Sequence, residues 1–215
     1  SFSSLRTMMF IRISERVNCI CSKGIATPIT MLEAYRLLQE IGSPGAGEGD
    51  AALLHNVHWP KSCTCGGIPT ISGTGSEATR TCVMTNKETK LKLGMNSDYT
   101  VFNQIIMDSN LTKTVPRNQY LYTGMDAYIH CFEALNGSYR NAIGDAYSSQ
   151  SIKLCREVFN ANDMMSDENR SKLMVASYLG GCAIATSYVG VVHPFSAGLS
   201  VVLGTHHCLA NCIVM

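Results

Sequence analysis

The chain has 215 residues, 46% of them apolar and 15% charged, with a formal net charge of +1. This is a globular composition with enough length to bury a sizeable core, and it lacks the charge that disorder requires. Scattered basic residues give no electrostatic reason for a nucleic-acid or anionic-membrane partner, and no stretch reaches the roughly 18–20 uninterrupted apolar residues of a spanning helix.

The opening SFSSLRTMMFIRISERV breaks its short apolar run with RISER, which argues against a secretory or transit signal. PITMLEAYRLLQEIG (28–42) predicts an amphipathic helix stopped by Gly42. SPGAGEGDAALL (43–54) is a glycine-rich turn that suits either a phosphate cradle or a plain surface loop. GGIPTISGTGSEATRTCVMTN, around Ile68, predicts a strand entering a loop of small residues. TVFNQIIMD (100–108) predicts a buried strand. After Leu111 the pattern turns helical, with long helices expected over 118–137, 144–162 and 168–188 and with Gly137 and Gly190 at helix ends. The order predicts an α/β part over 1–110, atypical over 1–66, followed by an all-α part over 111–215.

The chain has ten cysteines. Cys82, Cys131, Cys155, Cys182, Cys208 and Cys212 lie in apolar segments and read as free core thiols, which suits a reducing, cytoplasmic compartment. Cys19/Cys21 and Cys63/Cys65 are spaced more tightly than the usual paired zinc ligands, so a structural zinc there competes with plain free thiols.

Asp126 and His130 stand four apart in the predicted helix 118–137 and share a face, with Glu133 near the same stripe. A carboxylate and an imidazole at this spacing suit a divalent metal or a simple Asp–His hydrogen bond. Three of the six histidines, His193, His206 and His207, cluster in the apolar run VVHPFSAGLSVVLGTHHCLANCIVM (191–215). If the helices bring His193 and His207 to Asp126 and His130, one carboxylate and three imidazoles suit Zn²⁺ or Fe²⁺; His206, adjacent to His207, is expected to point elsewhere.

PTISGTGSEAT (69–79), TGMDAYIHCFEA (123–134) and VHPFSAGLSVVLGTHHCLAN (192–211) resemble, in order, the iron-containing (group III) metal-dependent alcohol dehydrogenases. The resemblance covers 68–215 and implies a dehydroquinate synthase-like architecture, with an N-terminal dinucleotide-binding part and a C-terminal helical metal-binding part. It implies Asp126, His130, His193 and His207 as the ligands of one Fe²⁺ or Zn²⁺. It implies that Thr70, Ser72, Gly73, Thr74, Thr79 and Lys92 line NAD(P). The implied reaction is oxidation of an alcohol, with the metal as Lewis acid and the nicotinamide as hydride carrier.

KLGMNSDYTVF, GSYRNAIGDAYS and the C-terminal run most resemble the branch that oxidises the C8 hydroxyl of the sugar acid 3-deoxy-manno-octulosonate. The expected partners are a small alcohol or sugar acid, with a homodimer left open. Three features depart from the family. Ala197 stands where a histidine commonly follows the third ligand, leaving Lys92, His206 or water for proton relay. GAGEGDAALL lacks the lysine of the family's phosphate loop. The pattern stops at Met215 within an expected helix, so the reading expects a truncated helical part and keeps a non-catalytic metal-binding fragment or paralogue as the alternative.

Overall fold

The computed structural model describes residues 20–21, 24–25, 66–85, 92–96 and 101–215. The expected helix 28–42, the glycine-rich stretch 43–54 and the Cys19 and Cys63/Cys65 readings lie outside the described residues. Short strands β1 (Ile20–Cys21) and β2 (Gly24–Ile25) pair antiparallel. Strand β3 (Gly66–Gly67) leads into the small-residue loop, which ends in a 3-10 turn at Ser76–Ala78. Strands β4 (Thr81–Thr85) and β5 (Lys92–Asn96) pair antiparallel from Thr81↔Asn96 to Thr85↔Lys92, and β6 (Gln104–Ile105) runs parallel to β3.

The buried strand expected over 100–108 is not found. Only Gln104–Ile105 is strand, and Val101, Ile106 and Met107 are exposed. An apolar β-branched run is buried only where neighbouring strands and layers cover it, and among the described strands β6 pairs with β3 alone.

A helical block follows. A 3-10 turn at Ser109–Thr112, capped by Asp108, precedes α1 (Arg117–Asn136), α2 (Ala142–Phe159), α3 (Asp167–Ser187), α4 (Val192–Leu203) and α5 (His207–Val214). Local chemistry sets several ends. The Asn141 side chain accepts from Gly144 N–H at 3.0 Å to start α2, and Ser166 accepts from Asn169 N–H to start α3, where Asp167 and Glu168 complement the helix dipole. The first helix stops before Gly137 as expected. The third does not run to Gly190: it ends at Ser187, with Tyr188 in the left-handed region at φ 60°. Gly190 instead allows a close approach, since a Cβ there would lie 3.2 Å from Glu133 Oε1. Gly204, at φ 66°, breaks the C-terminal run into α4 and α5 and turns His207 back toward the block.

The core lies between the first three helices. Tyr120 and Ala127 of α1 pack with Cys155 and Val158 of α2 and Leu173 and Ala176 of α3. The adjoining stripe of α1, carrying Asp126, His130 and Glu133, is buried too. One side of α1 thus serves the apolar core, while the other presents polar groups beside α4 and α5. Among the described residues no single helix is long and apolar enough to cross a membrane.

Candidate metal centre

Three helices deliver the site. Asp126 and His130 come from successive turns of α1, His193 from the first turn of α4, and His207 from the first residue of α5. All four are buried, Asp126 fully. Ligand atoms of Asp126, His130 and His193 lie within 4.8 Å of one another. His207 stands at the edge of that group, its Nε2 3.8 Å from Asp126 Oδ1, and His193 Nε2 is 3.3 Å from the same oxygen. The His130 and His193 rings stack with centroids 4.5 Å apart, and the His207 ring lies 5.5 Å from that of His193. The four predicted ligands are therefore brought together across 81 residues of chain, from 126 to 207.

Electrostatics follow from that enclosure. Burial alone would raise the Asp126 carboxyl, but the surrounding imidazoles outweigh it and hold it well below the usual carboxylate range. Burial pushes His130 down to about 4 despite the pull of Asp126, so its ring is neutral near pH 7 and offers a lone pair. Burial also opposes charge on His193, yet hydrogen bonds to Asp126 and Glu133 override it and raise the group to about 9. Without a metal a proton thus supplies the positive charge here, the role a divalent cation takes when it displaces that proton.

The donor set fits a divalent cation. Asp126 Oδ2 and His130 Nδ1 are buried with no hydrogen-bond partner among the described residues, an expensive condition for polar atoms unless something else meets them. One anion with three imidazoles is the mixture that Fe²⁺ or Zn²⁺ accepts.

Three further residues complete the surroundings. The Glu133 carboxylate meets His193 Nδ1. The Asn211 amide donates to Asp126 Oδ1 at 2.6 Å and lies 3.1 and 3.2 Å from His193 Nε2 and His207 Nε2. Ser196 donates to Asn211 Oδ1, which fixes the amide's orientation. Spacing alone could have flagged two of them. Asn211 is four after His207 and Ser196 three after His193, so each shares a helix face with a predicted ligand.

The loop residues expected to line a dinucleotide lie close by. Ser72, Gly73, Thr74 and Thr79 are buried and Thr70 is half-buried. Ser72 Oγ has no hydrogen-bond partner among the described residues. The Ser177 hydroxyl of α3 accepts from Gly73 N–H at 2.7 Å and from Gly75 N–H at 3.3 Å. A Cβ on Gly73 would fall 1.9 Å from the Thr123 carbonyl oxygen, so the loop backbone touches α1 one turn before Asp126. Lys92 lies in β5, with its side chain outside the described residues. Ala197 occupies α4 one turn after His193, and His206 caps α5, half-buried.

Comparison with known proteins bears on the family. Residues 120–215 match the family model described as Fe-containing alcohol dehydrogenase family, C-terminal, and residues 45–109 match that of iron-containing alcohol dehydrogenase. The second match begins at residue 45, so it takes in 45–66, which the sequence reading left outside the resemblance. The chain is 33% identical over 155 residues to the sulfoacetaldehyde reductase of Bilophila wadsworthia, covering 69% of this chain and 39% of that protein. It is 33% identical over 150 residues to the 1,3-propanediol dehydrogenase of Klebsiella pneumoniae, with 69% and 39% covered.

Among solved structures, the iron-containing alcohol dehydrogenase of Thermotoga maritima is 27% identical with a TM-score of 0.68, covering 81% of this chain and 46% of that one. The sulfoacetaldehyde reductase of Bifidobacterium kashiwanohense, solved with NAD+, is 27% identical with a TM-score of 0.66, covering 74% and 44%. The chain spans about two fifths of the length of the curated relatives it matches. With three motifs in family order, a buried cluster of the expected ligands and both family models matched, the chain belongs to the iron-containing alcohol dehydrogenase family.

Proposed function

We propose that this chain carries the metal-binding part, and a portion of the dinucleotide-binding part, of an oxidoreductase that interconverts an alcohol and its carbonyl compound. The carrying observation is the buried meeting of Asp126, His130 and His193, with His207 beside them and with Asp126 Oδ2 and His130 Nδ1 unpartnered. In this reading residues 1–110 form the dinucleotide-binding part, residues 111–215 the helical metal-binding part, and Asp126, His130, His193 and His207 hold one Fe²⁺ or Zn²⁺.

A metal held by Asp126, His130, His193 and His207 would supply Lewis acidity toward a substrate oxygen, and a bound NAD(P) would supply hydride exchange. The chain's own contribution is to hold one negative charge and a neutral imidazole in a water-poor enclosure. Thr70, Ser72, Gly73, Thr74, Thr79 and Lys92 line the dinucleotide in this assignment. The loop's contact with α1 near Asp126 supports it, because hydride transfer requires the two ligands side by side.

The substrate is a small alcohol or aldehyde. Relatives are named for sulfoacetaldehyde, butanol and 1,3-propanediol. The narrower reading, the C8 hydroxyl of 3-deoxy-manno-octulosonate, rests on the phrase resemblance in KLGMNSDYTVF and GSYRNAIGDAYS. Free thiols at Cys131, Cys155, Cys182, Cys208 and Cys212 support a cytoplasmic setting.

The test is metal content by elemental analysis of the chain and of its Asp126→Ala and His207→Ala variants, with a Cys63→Ser/Cys65→Ser variant as control. One equivalent of Fe or Zn, lost in the first two and kept in the third, is expected; retention in both ligand variants sinks the assignment. A panel of short-chain alcohols, aldehydes and the eight-carbon sugar acid, read by NAD(P)H absorbance, then ranks the substrates. Stoichiometric metal with no turnover on any of them would favour the non-catalytic alternative.

A further inference from the structure

Glu133 lies on α1 one turn after His130 and is almost completely buried, yet it is not one of the four predicted ligands. Its contacts run to α4. Oε1 accepts from the backbone N–H of Val192 at 2.6 Å and of His193 at 3.3 Å, and Oε2 meets His193 Nδ1. The preceding residue, Val191, has no side chain able to cap the helix. One carboxylate from α1 therefore satisfies the free donors at the start of α4 and also grips the imidazole that α4 contributes. Gly190 makes room for it, since a Cβ there would lie 3.2 Å from Oε1, tighter than an ordinary contact.

The consequence for His193 is geometric. Its two ring nitrogens have separate partners: Nδ1 faces Glu133, and Nε2 faces Asp126 Oδ1 at 3.3 Å. An imidazole that donates through Nδ1 carries its lone pair on Nε2, the nitrogen aimed at the other ligand atoms. The backbone hydrogen bonds fix the helix turn and the side-chain hydrogen bond fixes the ring, so both the position and the rotation of His193 are referred to α1, the helix that carries Asp126 and His130.

We propose that Glu133 is the positioning residue of the metal centre, holding His193 with Nε2 toward the metal and locking α4 to α1 in the register that closes the ligand set. This rests on the metal reading above and goes beyond it, since Glu133 is outside the gathered ligand atoms of Asp126, His130 and His193.

The experiment is Co²⁺ titration of metal-stripped protein, reading both Kd and the visible ligand-field spectrum, for the unaltered chain, Glu133→Gln, Gly190→Ala and His193→Ala. Glutamine keeps the size but offers one acceptor oxygen to three donors. Glu133→Gln should bind Co²⁺ about 10–100-fold more weakly, with a displaced spectrum from the rotated imidazole. Gly190→Ala should move both readings the same way by less, and it serves alone if Glu133→Gln does not fold. His193→Ala should not bind Co²⁺.

A Glu133→Gln protein with a lowered Tm but unchanged Kd and spectrum would make Glu133 a helix cap only and overturn the proposal, leaving the metal reading intact. Unchanged Co²⁺ binding by His193→Ala would overturn the metal reading itself.

Discussion

Gly75 and Gly181 meet backbone to backbone. A Cβ on Gly75 would lie 2.5 Å from Gly181 Cα, and one on Gly181 would lie 2.2 Å from the Gly75 carbonyl oxygen. No side chain fits between the small-residue loop and α3 at this point. Gly75 also takes φ 58°, which an L-residue rarely adopts, so two separate constraints exclude other residues there.

Gly181→Ala should therefore force the loop away from α3. The expected cost is about 1–3 kcal/mol of stability, the usual penalty for overpacking a closed contact. Nicotinamide nucleotide affinity should fall while metal content holds, because the ligands reside on other turns. Thermal melting with an NADH fluorescence titration checks both, and unchanged nucleotide affinity would remove the loop from the cofactor site.

Ser177→Ala leaves the Gly73 and Gly75 N–H groups without their buried acceptor. Stranding buried donors costs about 1–3 kcal/mol. Ser177→Thr keeps the hydroxyl and should recover part of the loss. Chemical denaturation midpoints of the two variants make the comparison, and equal midpoints would show that the hydroxyl does not hold the loop.

Asn211→Ala removes the amide that donates to Asp126 Oδ1 and one of the two acceptors of the Ser196 hydroxyl, which keeps the His193 carbonyl. The metal-free variant should lose about 1–3 kcal/mol. Added Zn²⁺ should raise its Tm by more than it raises that of the unaltered chain, because a cation would meet the Asp126 oxygen that has lost its amide donor. Calorimetry with and without Zn²⁺ decides; equal metal-induced shifts would count against Asn211 compensating Asp126.

His130 and His193 should give the metal-stripped chain a stability maximum near pH 6.5. His130 drops from 6.5 to about 4 on folding, so between those values only the unfolded chain holds the proton and stability rises with pH. His193 rises from 6.5 to about 9, so across that window only the folded chain holds the proton and stability falls with pH. Each limb amounts to something on the order of 2 kcal/mol. Melting from pH 4 to 9.5 in chelator should trace this bell, and the alkaline limb should vanish in His193→Ala. An alkaline limb that persists there belongs to another group.

Much of the site was legible in the chain because helical spacing is local physics. Asp126 and His130 share a face of α1 whatever surrounds them, and the three helix stretches 118–137, 144–162 and 168–188 match α1, α2 and α3 to within a few residues. The ligand set spread over three helices was what the family resemblance implied and not a product of periodicity, which cannot say which faces meet. Only the tertiary structure decided that Glu133 turns from its place beside Asp126 and His130 to grip His193, that Gly190 gives way to it, and that Asn211 faces three predicted ligands at once. It also decided that the β-branched run after residue 100 is largely exposed, since burial depends on which layers cover a strand. Residue type and spacing thus determined which groups were able to do chemistry, while packing between distant helices determined which of them hold the others in place.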